Sequence, residues 1–267
     1  MSHRVTAGAS GSPAPRYAPA TDSPPVDLVP APLARGPLPR ARKVLAVIAR
    51  PGQESADLGA LLYAFRRAGA GLALLCLTRG EASPSNATIE RLETRRPWEL
   101  QVAGALLGIC SVTVADYPDG GLAETPLAEL AELVQREIRR HAPDLLLIVD
   151  PEPGGLNGGV VTGADRPGGP MLASGSSDDA VAARAVRSAA GQAGVPVAAR
   201  TAPGTRGGRL IDLGVDPDAA RAVQCSATAA YVSQSEALPE VGRRLDLLNG
   251  RETLRWMVPL LRRSSRG

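Results

Sequence analysis

Apolar residues occur along the chain in short runs that alternate with amphipathic stretches. The runs are bounded by Gly, Asp or Pro, which is typical of buried parallel strands; they occupy residues 44–49, 72–77, 112–115, 145–149 and 195–199. Helical periodicity is found between them, at about residues 55–69, 86–107, 126–140 and 178–193. This alternation predicts right-handed crossovers, and therefore an α/β, Rossmann-like, doubly wound and mainly parallel sheet.

The remaining patterns complete the domain organisation. A further strand is predicted at 209–213 and further helices near 217–232 and 235–248, which gives a single domain over residues 41–260 and a frayed tail at 261–267. Residues 1–40 are rich in Pro, Ala, Ser and Gly, as expected of a disordered arm. They contain no apolar core of a secretory signal, and no run in the chain reaches the roughly 18 apolar residues of a membrane span. We therefore expect a cytoplasmic protein without membrane association.

A long segment rich in Gly and Pro, residues 151–177, interrupts the alternation of predicted strands and helices. Loops of this length inside a domain are usually functional or disordered. The glycines match neither G-x-x-x-x-G-K-[ST] nor G-x-G-x-x-G, and the segment follows a late strand. Nucleotide binding is therefore not favoured.

Composition narrows the chemistry further. The net charge is +3, Lys43 is the only lysine, and the chain has seven aromatic residues without clustered basic runs outside its ends. Nucleic acid is thus not an expected partner. The three cysteines form no C-x-x-C pair, which argues against a redox or thiolate zinc motif. The two histidines are His3, in the predicted arm, and His141, which suits a helix C-terminus.

The first strand leads into the sequence ARPGQE at residues 49–54, just before a helix. In an open α/β sheet this junction is where ligands are held. The loop nevertheless carries Arg50, Gly52 and Gln53 where a catalytic loop would need a base or a metal ligand.

Several motifs occur in a characteristic order. They are the strand and loop at 44–54, LLCLTRGEAS at 74–83, RRPWEL at 95–100, DYPDGGLAETPL at 116–127, DLLLIVDP at 144–151, and SQSEALPEVGRRLDLLNGRETLRW at 233–256. In this order the chain resembles the LmbE/PIG-L family of zinc-dependent N-deacetylases and amidases, which includes mycothiol-pathway and amino-sugar deacetylases. The resemblance spans about residues 43–260.

The resemblance implies that residues 49–54, here called the metal loop, have lost their metal-binding residues. In the family this loop reads A-H-P-D-D-E, where the histidine and second aspartate bind zinc and the first aspartate is the general base. In this chain Arg50 replaces the zinc-binding histidine, Gly52 replaces the aspartate that acts as general base, and Gln53 replaces the zinc-binding aspartate. Pro51 and Glu54 match the family pattern.

The family's second metal motif, G-[VAI]-T-G-H-P-D-H, can be placed in two ways. Residues 159–166 fit its left half, but the following prolines and glycines oppose the helix that should come next. The preferred placement begins at residue 173 and leads into an amphipathic helix, so that Ser176 replaces a catalytic histidine and Asp179 the zinc histidine. The family's A-H-x-S-Q becomes residues 230–234, with Tyr231 in place of another histidine.

These replacements predict that no metal or other cofactor is bound. A catalytic zinc needs about three N, O or S ligands, and Arg50 would place a permanent cation beside it. Glu54, Asp150 and Asp179 could form an all-oxygen Mg²⁺ or Mn²⁺ site, but Arg50 opposes that site too. We expect instead that Arg50 contacts at least one of these carboxylates and compensates their mutual repulsion.

The positions that would surround the metal site match the family's sequence motifs better than the metal loop does. The resemblance implies that Arg79, Arg96, Asp119 and Asp150 bind substrate. Two alternatives remain: Arg96 and Glu99 also have the spacing of a helix ion pair, and Asp119 with the glycine that follows it also fits a plain turn.

Three functions are therefore compared. The first is a non-catalytic LmbE-like protein that binds a ligand or regulates a relative. The second keeps an enzyme with altered, metal-independent chemistry, in which Asp178, Asp179, Glu54 or Tyr231 serve as acid and base. The third, retained hydrolysis of amide C–N bonds, requires zinc ligands that the motifs lack. The expected ligand is an amino sugar or a thiol conjugate, and the expected protein partner is a second copy or an active paralogue.

Overall fold

An eight-stranded, mostly parallel sheet organises the part of the chain that the computed structural model describes, namely residues 34–82, 91–151, 177–237, 241–243, 245–246 and 251–258. The strands are β1 (Arg35–Pro37), β2 (Lys43–Ile48), β3 (Gly71–Thr78), β4 (Ser111–Tyr117), β5 (Leu145–Val149), β6 (Val197–Arg200), β7 (Arg209–Asp212) and β8 (Glu252–Val258). Their order across the sheet is β1-β7-β8-β6-β5-β2-β3-β4. The predicted α/β fold class is confirmed.

Helices cover both faces of this sheet. They are α1 (Gln53–Ala56), α2 (Gly59–Arg67), α3 (Leu92–Leu107), α4 (Leu127–His141), α5 (Ser177–Ala193) and α6 (Pro217–Ala229), with short 3-10 helices at Leu122–Glu124 and Val232–Ala237. The first part of the predicted helix at 86–107 and six residues of that at 235–248 lie outside the described residues. No described helix has the length and apolar character needed to cross a bilayer.

The helix predicted at 55–69 is divided between α1 and α2, because a side chain of α6 is inserted at the break. Gln224 donates its amide hydrogens to the carbonyl oxygens of Ser55 at 2.9 Å and Ala56 at 3.1 Å. A Cβ atom at Gly59 would lie 2.7 Å from the Gln224 side chain, so this close approach requires glycine.

The core consists of two apolar clusters, one on each face of the central strands. In β2, Val44, Ala46 and Ile48 pack with α2, α3 and α6, whereas Leu45 and Val47 pack on the face covered by α4 and α5. The strand is buried on both faces, which explains why its sequence is a continuous apolar run.

Two strands were not predicted. β8 runs antiparallel to both β6 and β7, and its Glu252 and Arg255 interrupt the apolar pattern that identifies the other strands. β1 pairs with β7 although it lies inside the predicted disordered arm, so the sheet includes residues that were assigned to that arm. Residues 1–33, 152–176 and 259–267, which hold the rest of the arm, most of the long loop and the tail, lie outside the described residues.

Candidate functional site

Four of the predicted site residues, Arg50, Gln53, Asp150 and Asp179, meet at the carboxyl ends of β2 and β5. These strands are neighbours, and the chain continues from β2 towards β3 and β4 but from β5 towards β6, on the opposite side. Such a switch point opens a crevice at the carboxyl edge of a parallel sheet. The loop at 49–52 and Asp150 both lie at this edge.

Two positions that the resemblance assigns to metal ligands bind each other directly. The side-chain amide of Gln53 donates to Asp179 Oδ1 at 2.8 Å, and Gln53 Oε1 accepts the backbone N–H groups of Ala49 at 2.9 Å and Arg50 at 3.3 Å. Arg50 Nη2 lies 3.8 Å from Asp179 Oδ2, and both residues are 4% exposed. The predicted contact between Arg50 and one of the three carboxylates is therefore present.

Glu54 and Tyr231 form a second buried pair on the other side of the loop. The Tyr231 hydroxyl donates to Glu54 Oε1 at 2.7 Å, and the Gly52 N–H donates to Glu54 Oε2 at 2.9 Å. Burial raises the pKa of Glu54 from 4.5 to about 7, although these two hydrogen bonds lower it. Burial and the neighbouring Glu54 also raise the pKa of Tyr231 well above its ordinary value.

The backbone conformation of the metal loop explains why glycine occupies residue 52, the position that the resemblance assigns to the general base. Gly52 has a φ of 104°, a conformation that residues with a Cβ atom rarely adopt. Its N–H is directed at Glu54. Because glycine has no side chain, the position that the resemblance assigns to the general base has no group that could deprotonate a water molecule.

Arg96 joins two loops instead of reaching outwards. Its guanidinium group donates to the carbonyl oxygens of Gly80 at 2.7 Å and Pro51 at 2.8 Å, and the side chain is fully buried. The alternative ion pair with Glu99 is not formed, because Glu99 accepts from Arg95 at 3.2 Å and from the backbone N–H of Ser233 at 2.8 Å. The position that the resemblance assigns to substrate binding thus fixes the metal-loop backbone.

The remaining acidic residues are held by backbone donors. Asp178 accepts the N–H groups of Gly120 at 2.7 Å and Leu122 at 3.2 Å, and its pKa is raised by burial. Asp119 accepts the N–H of Ala82 at 3.2 Å. The α5 N-terminus and the turn after β4 are therefore connected, which is a structural role for the predicted catalytic residue Asp178.

Two further predicted residues bind charged partners. Asp150 accepts from Arg255 Nη2 at 2.6 Å, and Arg79 Nε lies 2.9 Å from Asp116 Oδ1 on the exposed surface. Arg255 was missed because it lies in β8, more than a hundred residues away along the chain. The sequence offered no signal for this partner beyond the alternation of charged and apolar residues in that strand.

Zinc does not fit the residues at this edge. The Gln53 amide nitrogen is a donor, its oxygen is already bound to backbone N–H groups, and the Arg50 cation lies beside Asp179. Within the described ranges, no group of three or more His, Cys, Asp or Glu residues is placed to hold a metal ion. His141 ends α4 at the opposite edge of the sheet, where it pairs with Glu137 at 3.2 Å.

Comparison with known families supports the resemblance found in the motifs. The sequence model of the PIG-L family, described as GlcNAc-PI de-N-acetylase, matches residues 45–158. This segment runs from β2 past the end of β5 and contains the loop at 49–54. The resemblance to the PIG-L family, of the LmbE-like class, is therefore confirmed over this segment. A search of curated proteins found no match.

Solved structures share the fold at low sequence identity. The N,N'-diacetylchitobiose deacetylase of Pyrococcus horikoshii has a TM-score of 0.65 at 15% identity, over 83% of this chain and 86% of that chain. The conserved protein TT1542 of Thermus thermophilus has a TM-score of 0.59 at 22% identity, over 82% and 95%. The 4-carboxy-2-hydroxymuconate hydratase GalB of Pseudomonas putida KT2440 has a TM-score of 0.59 at 15% identity, over 82% and 98%.

Proposed function

We propose that this chain is a PIG-L protein that has lost zinc-dependent deacetylation and acts as a cytoplasmic ligand-binding or regulatory protein. The observation that carries the proposal is the 2.8 Å hydrogen bond between Gln53 and Asp179. A donor and an acceptor that satisfy each other stabilise the loop in a closed form that needs no ion. The Arg50 cation supplies positive charge to the same cluster.

The proposed ligand is an amino sugar or a thiol conjugate. The amino-sugar class is supported by the name of one structural neighbour, the N,N'-diacetylchitobiose deacetylase. As a regulatory protein, the chain would act on a second copy or on an active paralogue. Such a partner is proposed because a non-catalytic relative must exert its effect through another molecule.

Metal content and amide hydrolysis test the loss of zinc chemistry. We expect purified protein to contain no stoichiometric zinc by elemental analysis and to release no acetate from N-acetylglucosamine, because Arg50 and Gln53 replace ligands. Near-stoichiometric zinc together with hydrolysis would contradict the proposal.

A ligand-restoring variant provides the positive control. Arg50→His, Gln53→Asp and Asp179→His together should recover about one zinc ion per chain, since they supply three ligands and remove the cation. Gly52 is left unchanged because its φ of 104° would strain an aspartate. The triple variant thus shows whether the scaffold itself still permits metal binding.

Ligand binding without turnover is tested by thermal unfolding. A saturating ligand at about 100 times its Kd should raise the Tm by roughly 5 to 10 °C. Glucosamine and a cysteine-glucosamine conjugate are the probes, and glucose is the matched control because it lacks the amine. A shift that is equal for glucose would exclude recognition of the amine.

Metal-independent acid-base chemistry is the second candidate. A glutamate with a pKa of about 7, hydrogen-bonded to a tyrosine hydroxyl, is suited to proton transfer near neutral pH. The hydratase named among the structural neighbours also catalyses a reaction other than deacetylation on this fold. Turnover that survives a chelator but is abolished in Tyr231→Phe and Glu54→Gln would favour this candidate.

A further inference from the structure

A groove lies at the amino ends of β2 and β5, at the opposite end of β2 from the metal loop, and the turn after β7 forms one of its walls. It has a volume of about 520 Å³, within the range of small-molecule sites. Its apolar lining comes from α2, the segment before β2 and the turn after β7, and includes Leu38, Ala64, Ala68, Leu213 and Val215. Because β2 begins here and ends at the loop, the two sites are about 20 Å apart, the length of a six-residue strand.

Backbone hydrogen bonds hold both walls of the groove in place. The Leu38 N–H donates to the carbonyl oxygen of Asp212 at 3.0 Å, and the Arg42 N–H donates to Asp144 Oδ2 at 2.9 Å. The Gly214 N–H donates to Asp212 Oδ1 at 3.0 Å and fixes the turn after β7. The groove is therefore formed without a ligand.

The acidic residues around the groove have hydrogen-bond partners, whereas its arginine side chains have none among the described residues. Arg40, Arg42 and Arg67 line it with exposed side chains, and within the described part of the chain none of their guanidinium groups has an ion pair or a hydrogen bond. The two carboxylates of the lining, Asp144 and Asp212, already accept backbone N–H groups. Three cations thus surround an apolar floor while the nearby acids are occupied.

We propose that this groove binds a small organic anion with an apolar body, such as a medium-chain carboxylate. The body would cover the floor made by Leu38, Ala68 and Val215, whose side chains are at least partly exposed. The anionic head would lie between Arg42 and Arg67, where a guanidinium fork can bind a carboxylate or a phosphate in a bidentate way. The proposal is independent of the function proposed for the metal loop.

Calorimetric titration of the full chain with octanoate tests this proposal. We expect saturable binding of one molecule per chain that is about tenfold tighter than binding of acetate or 1-octanol, because each of these lacks one of the two recognised parts. Affinity should fall as sodium chloride is raised, since the guanidinium groups are exposed. Absence of saturable binding, or equal binding of octanol and octanoate, would overturn the proposal.

Three variants locate the binding. Arg42→Gln and Arg67→Gln should each weaken octanoate binding by about tenfold. Ala68→Trp should abolish it, because the indole fills the apolar floor. The matched control is Arg66→Gln, since Arg66 also ends α2 but its side chain lies over Gly108, outside the groove. An equal loss in Arg66→Gln would mean that general charge, and not this groove, binds the anion.

Discussion

Replacing Arg96 with alanine should lower the free energy of unfolding by about 3 to 5 kcal/mol. The guanidinium group makes two short hydrogen bonds to the carbonyl oxygens of Pro51 and Gly80, and the side chain is fully buried. Truncation leaves both carbonyls without their charged donor and creates a cavity. Urea unfolding would measure the loss, which corresponds to a fall of roughly 10 °C in Tm.

The neighbouring Arg95 is the matched control for this prediction. Its side chain is 44% exposed and pairs with Glu99 at 3.2 Å. Because the buried Glu99 keeps its hydrogen bonds from Ser233, Arg95→Ala should cost about 1 to 2 kcal/mol, less than Arg96→Ala. Arg96→Lys should fall between the two, because an ammonium group cannot form the fork that reaches both carbonyls. If Arg96→Ala were as mild as Arg95→Ala, Arg96 would not be the group that fixes the two loops.

Strands could be predicted wherever the spacing of apolar residues reflects burial. β2, β3 and β5 are apolar runs because both of their faces are buried, so their positions follow from sequence alone. β8 could not be found in this way. Its Glu252 lies 3.4 Å from both Arg200 and Arg221, and such long-range ion pairs leave no local pattern.

The sequence predicted which residues form the candidate site, but not most of the hydrogen bonds between them. The resemblance identified Arg50, Gln53 and Asp179 as replaced ligand positions, and the expected contact of Arg50 with a carboxylate followed from charge alone. The hydrogen bond between Gln53 and Asp179 joins residues 126 positions apart and depends on tertiary structure. Arg96 is a similar case, since its backbone acceptors are invisible in the R-x-x-E spacing.

Charge balance connects these replacements. The family resemblance implies a divalent cation among acidic residues; here the loop has lost two aspartates, and the monovalent Arg50 lies beside Asp179. The remaining carboxylate of the loop, Glu54, is mostly protonated and neutral below its pKa of about 7. A cluster that needs no metal can therefore remain buried without excess negative charge, provided that Glu54 keeps its proton.

The protonation of Glu54 should make stability depend on pH. Its pKa rises from 4.5 in the unfolded chain to about 7 in the fold, so the folded state holds a proton that the unfolded state releases. The contribution to stability is complete below about pH 4.5 and is lost as pH rises through 7. The loss amounts to about 3 kcal/mol, at 1.36 kcal/mol for each pKa unit.

Glu54→Gln isolates this contribution, because the amide is neutral at every pH and its oxygen can still accept the Gly52 N–H. The variant should gain about 3 kcal/mol relative to wild type between pH 4.5 and 8, as measured by urea unfolding. Glu93→Gln, at an exposed glutamate of α3, should show no such gain. Tyr231→Phe should move the transition to higher pH, since its hydroxyl lowers the pKa of Glu54. A constant difference between Glu54→Gln and wild type across this range would mean that Glu54 is ionised in the fold, and that Arg50 alone compensates the carboxylates.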